Sequence, residues 1–130
     1  MLGASEYWIT VVELESFVRH ADGHLTEDEV QGLITYLANH PDDGEMIPDT
    51  GGIRKIRWPA RVNSTTGGAW VVYFFRDLNM PLYLLTAFGK GERIILSKDD
   101  KAALRAVVDE IIRDQWNEVE LRVVNLRNQR

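Results

Sequence analysis

The sequence predicts a small α+β domain, on three observations. A capping box opens a strongly periodic helix near the N-terminal end, three β-branched and aromatic runs follow one another through the middle, and a second amphipathic helix comes after them. The 130 residues are 45% hydrophobic and 27% charged, which suits one globular core. No stretch reaches the roughly 18 to 20 apolar residues of a membrane span, and no basic segment followed by an apolar region opens the chain. The expected location is therefore cytoplasmic. With no cysteine, disulfides, thiolate metal sites and cysteine nucleophiles are all excluded.

Tyr7 to Val12 reads as a short opening strand and Glu13 to His20 as a helix. Thr26 with Glu29 three residues on forms the capping box, and Val30, Leu33, Ile34 and Leu37 fall on one helical face. Pro41 predicts the stop near His40. After an irregular stretch rich in glycine, Ile53 to Trp58 is strand-like, and Pro59 bars its continuation. Residues 60 to 68 form a loop. Ala69 to Arg76 and Leu82 to Phe88 then suit an antiparallel hairpin. Ser97 with Asp100 caps a last helix carrying Leu104, Val107, Val108, Ile111 and Ile112, a stripe expected to pack on the sheet. From Asn117 onward, Val119, Leu121 and Val123 alternate with charged residues. The expected organisation is one domain over residues 1 to 116 and a tail, 117 to 130, that is either an extra strand or a partner-dependent segment.

Charge is segregated along the chain. The net charge is -5, yet residues 51 to 76 hold Arg54, Lys55, Arg57, Arg61 and Arg76 without an acid, whereas residues 1 to 50 hold eleven acids and one base. Alternation in a strand puts Lys55 and Arg57 on one face and Ile56 on the other. In the next strand Val71, Tyr73 and Phe75 suit the apolar face, leaving Trp70 near the two cations. Cations beside an aromatic ring can hold phosphate and stack an unpaired base. Lys90 and Arg93 close the site from another edge. The same charges also suit a solvated edge or the docking face of an acidic partner, and charge alone does not choose between them.

Other chemistries find little support. Gly89-Lys90-Gly91 is too short for a phosphate-binding loop. His20 and His24 lack the surrounding motif of a zinc site and read as solvated helix-end residues. Ser64 lacks the glycines of a nucleophile elbow. The reading calls for no metal and no cofactor.

A longer series of residues carries a family resemblance. Gly44-Glu45-Met46-Ile47-Pro48, then Thr50-Gly51-Gly52-Ile53-Arg54-Lys55-Ile56-Arg57-Trp58, resembles the core motif of RelE/HigB-type toxins of bacterial type II toxin-antitoxin modules, in the RelE/ParE superfamily. Gly67-Gly68-Ala69, Val71 to Phe75, Met80 to Thr86, Lys90 and Leu96-Ser97 continue the resemblance in order, from about Tyr7 to about Trp116. It implies N-terminal helices and a C-terminal helix packed on a curved antiparallel sheet. It further implies a ribosome-dependent mRNA endonuclease in which the ribose 2′-hydroxyl attacks the adjacent phosphate without a metal. The implied partners are the ribosome and mRNA, and a cognate helix-turn-helix antitoxin through which alone the protein meets operator DNA.

Carried across residue by residue, Lys55, Arg57 and Lys90 match the family's basic site positions as catalytic candidates. Arg54, Arg61, Trp70 and Arg93 are RNA-binding candidates. The sequence departs from the family at Trp70, where an arginine assigned to the transition-state phosphate is common, and in the loop Arg61-Val62-Asn63-Ser64-Thr65-Thr66, which lacks several charges. Loss of such a donor costs on the order of 10² to 10³ in rate by analogy with oxyanion-hole deletions. An alternative role follows: a catalytically weakened member acting as antitoxin-binding partner in a DNA-bound autorepression complex.

Overall fold

A computed structural model of the chain describes residues 8–59, 68–89 and 96–129, with side chains through residue 114. It is an α+β structure of three helices and a five-stranded sheet. The elements in chain order are β1 (Val11–Glu13), α1 (Glu15–Ala21), α2 (Glu27–Asn39), β2 (Glu45–Met46), β3 (Ile53–Trp58), β4 (Ala69–Phe74), β5 (Leu82–Gly89) and α3 (Lys98–Gln129). The strand order is β1-β5-β4-β3-β2. All neighbours are antiparallel except β1, which runs parallel to β5 and makes the sheet mixed.

The capping box forms as its spacing predicts. Thr26 accepts from the Glu29 N–H and Glu29 Oε1 from the Thr26 N–H, satisfying two donors that a helix start leaves open. α2 then buries Leu33 and Leu37, and His40 closes it. α1 buries Phe17 and Ala21 in the same core, with Leu25 between the helices. Against these pack Ala69, Val71 and Tyr73 of β4 and Leu82, Leu84 and Ala87 of β5. At about 25 cal/mol per Å² of apolar surface removed from water, each fully buried Leu or Phe contributes roughly 1.5 to 3 kcal/mol.

Two polar groups are folded into this core with partners. The Tyr73 hydroxyl accepts from the Gly44 N–H at 2.8 Å, and burial pushes its pKa up to about 12. A Cβ at position 44 would lie 2.6 Å from that hydroxyl oxygen, so the position requires glycine. Trp58 Nε1 donates to the Glu29 carbonyl at 2.8 Å and ties β3 to α2. Tyr36, tilted against Trp58 at 5.3 Å between centroids, donates its hydroxyl proton to Asp43, and this bond raises its pKa.

Several boundaries differ from expectation. The opening strand starts its ladder at Val11, although Thr10 already accepts from the Leu82 N–H. β2 lies in the stretch expected to be irregular. The turn 47–52 folds the chain back on itself there, held by buried Thr50, whose hydroxyl donates to the Ile47 carbonyl and accepts from the Ile53 N–H. β4 ends at Phe74 rather than Arg76, and Asp77 then accepts from the Asn79 N–H in an Asx turn.

Residues 8–59 and 68–89 fall in one compact unit and residues 96–129 in another. In the second, Ser97 and Asp100 exchange side-chain-to-backbone hydrogen bonds and start α3. Leu104, Val107, Val108, Ile111 and Ile112 are its shielded positions, with exposed residues between them. The segment from Asn117 is helical through Gln129 rather than extended. Its sequence also carries Trp116, Val119, Val123 and Leu126 at spacings of three and four. Continuation of the preceding turns needs no new nucleus and prevails over the period-two pattern.

Candidate nucleic-acid interface

Register fixes which side chains share the sheet face opposite α1 and α2. Across β3 and β4 the pairs are Ile53 with Phe74, Lys55 with Val72 and Arg57 with Trp70. Facing residues in a ladder project to the same side. Along this face the character changes within two rows. Ile53, Val72 and Phe74 are fully buried, whereas Lys55, Arg57 and Trp70 are half-buried.

The two cations meet over one ring. Lys55 Nζ lies 5.7 Å and the Arg57 guanidinium carbon 5.8 Å from the Trp70 ring centroid. Both distances fall within cation–π range, worth about 0.5 to 1 kcal/mol at an exposed site. Among the described residues neither cation forms an ion pair, and buried Arg57 Nε finds no acceptor. Glu45 is the register partner of Lys55 on β2, yet makes no salt bridge with it. The ring therefore holds two cations in place without neutralising them.

Arg54 goes elsewhere. Its neighbours in the alternation are Ile56 and Trp58, on the face that packs on the helices. Its Nη1 donates to the carbonyls of Asp42 at 3.0 Å and Gly44 at 2.8 Å, fastening the approach to β2 onto β3. Nη1 is thereby committed to backbone, while Arg54 Nε, like Arg57 Nε, is buried without an acceptor among the described residues; strand alternation separates Arg54 from Lys55 and Arg57. Arg61, Lys90 and Arg93 lie outside the described residues.

The ladder adds residues that composition did not single out. Phe88 pairs with Trp70 and Thr86 with Val72, so β5 contributes a second half-buried aromatic and a hydroxyl to the same face. A β-bulge between the Val72–Thr86 and Tyr73–Leu84 pairs inserts Leu85 into β5. β1 ends beside Leu84, and α1 then runs along the rest of β5, where Ser16 donates to the Leu85 carbonyl. From that helix His20 Nδ1 reaches the Thr86 hydroxyl at 2.7 Å. His20 is thus a partner of the sheet face, and not only a solvated helix-end residue.

The groove between α1 and α2 has a different character. A cavity of about 630 Å³ there is lined by apolar Phe17, Val18, Leu25 and Val30, with Glu13, Asp22 and Glu27 among its other walls. Among the described residues no helix is long and apolar enough to cross a membrane, and no cluster of three His, Asp or Glu side chains suited to a metal ion is present. No protein-family model matches the sequence.

Proposed function

We propose that this chain is the toxin of a type II toxin-antitoxin module, a metal-independent endoribonuclease that cleaves mRNA on the ribosome in the cytoplasm and so inhibits translation. The observation that carries this reading is the cluster of Lys55, Arg57 and Trp70, two cations gathered over an aromatic ring with no acidic partner among the described residues. The motif resemblance, which includes Lys55 and Arg57 themselves, supports it as well.

In this reading a base that stacks on Trp70 displaces the two cations from the ring and releases them to its own phosphate. Stacking contributes about 1 to 3 kcal/mol. Lysine and arginine then neutralise charge that grows on the phosphoryl oxygens as the 2′-hydroxyl attacks, the kind of electrostatic stabilisation that accounts for much of enzymatic rate enhancement. Arginine is suited to the non-bridging oxygens because its fork can donate two parallel bonds.

Expression of the chain alone in a bacterium tests the reading. Growth arrest with mRNA cut inside ribosomes is expected, and soluble folded protein without arrest would remove the active-toxin assignment. Trp70 itself favours the second reading, a weakened member held in an antitoxin complex on DNA. Trp70→Arg separates the two: faster cleavage than wild type marks a weakened enzyme, and no cleavage by either form favours the binding role.

A further inference from the structure

On the basis of the endonuclease reading, we propose that His20 is the proton-transfer group of the cleavage site and that Thr86 is its positioning residue. Lys55, Val72 and Thr86 form one row across β3, β4 and β5, and His20 extends that row from α1 through its 2.7 Å contact with the Thr86 hydroxyl. Two ladder spacings, about 10 Å, separate the backbones of Lys55 and Thr86. Val72 itself is fully buried, so a phosphodiester sits beside it, at the half-buried rings of Trp70 and Phe88, with Lys55 toward one side and the imidazole toward the other. Trp70 and Phe88 form the adjacent row and offer rings to the bases.

Among the described residues, the chemistry of the face singles out His20. Arginine stays protonated, the indole N–H of tryptophan only donates, and threonine is a weak acid and a weak base. Lys55, released from Trp70 by the stacked base, is committed to the charge on the phosphate. The imidazole has one donor and one acceptor nitrogen, and when Nδ1–H donates to Thr86 Oγ1, Nε2 carries the free lone pair. In the reaction the O2′–P bond forms while Nε2 accepts the 2′-hydroxyl proton. The P–O5′ bond then breaks, and the imidazolium returns that proton to O5′. The products are a 2′,3′-cyclic phosphate and a 5′-hydroxyl, with no net proton change.

The test is ribosome-dependent mRNA cleavage by purified wild type, His20→Ala and His20→Gln, each with its melting temperature measured. Glutamine can keep a hydrogen bond to Thr86 but cannot exchange a proton. Both variants are expected to lose about 10²- to 10⁴-fold in rate at an unchanged melting temperature, and added imidazole should restore part of the loss in His20→Ala. A His20→Gln variant at wild-type rate, or no recovery with imidazole, overturns the inference. Thr86→Val should lower the rate in the wild-type background and change nothing in the His20→Ala background; an equal drop in both overturns the positioning role. Wild-type protein that never cleaves removes the endonuclease reading and this inference together, whereas wild-type cleavage undiminished in His20→Ala removes the inference alone.

Discussion

Arg54 and Arg57 stand three residues apart in one strand and serve opposite ends. Arg54 turns to the helix-covered face and places its Nη1 between two backbone carbonyls, which makes it part of the scaffold. Arg57 turns to the other face and rests on Trp70 with no acidic partner among the described residues. Composition counts them alike. What separates them is strand parity together with where the chain supplies acceptors, and the difference shows how one basic strand both locks a fold and leaves charge available for a ligand.

The largest expected effect comes from removing the available pair. Lys55→Ala with Arg57→Ala should abolish growth arrest and lower cleavage by at least about 10²-fold, as the loss of transition-state donors does elsewhere. Each of the two half-buried residues gives up a cation–π contact worth about 0.5 to 1 kcal/mol, so the melting temperature should fall by only a few degrees. If the double variant unfolds, these residues are structural and the contrast with Arg54 breaks.

Arg54→Ala should do the reverse. It removes a charged hydrogen bond to the part-buried Gly44 carbonyl, worth about 1.5 to 3 kcal/mol, and a weaker one to the exposed Asp42 carbonyl. A melting temperature lower by several degrees is expected, with cleavage per folded molecule kept. Calorimetry alongside cleavage assays checks both halves.

A smaller effect sharpens the scaffold side. Tyr73→Phe leaves the Gly44 N–H without its acceptor and should cost about 1 to 3 kcal/mol. It also removes a pH dependence. The folded Tyr73 pKa, about 12, lies above the ordinary value of 10, so the folded state binds more protons between those values. This contribution is fully present below pH 10 and is lost as pH rises through 12. Denaturant midpoints measured from pH 9 to 12 should fall more steeply in wild type than in Tyr73→Phe.

Much of this was legible in the sequence, for local reasons. β3 has its predicted limits because Ile53 to Trp58 is β-branched and aromatic at its ends, and Pro59 cannot continue a ladder. The same strand parity put Lys55, Arg57 and Trp70 together. What escaped was set at a distance. β2 exists because buried Thr50 ties a turn, while Glu45 and Met46 carry little strand preference of their own. The bulge at Leu85 resets the parity of β5, so which of its side chains join Trp70 emerges only from the register. His20 reaches the face because β1 is three residues long and α1 takes over its edge, a relation that spans more than sixty positions in sequence.

The most direct test of the central claim compares single variants at the two arginines. Purified Arg54→Ala and Arg57→Ala, each corrected for its folded fraction, are assayed for cleavage of ribosome-bound mRNA by primer extension. Arg57→Ala is expected to lose at least about 10²-fold in rate with only a small loss of stability, while Arg54→Ala loses more stability and keeps its rate. Equal loss of rate in the two, or a loss confined to Arg54→Ala, would contradict it.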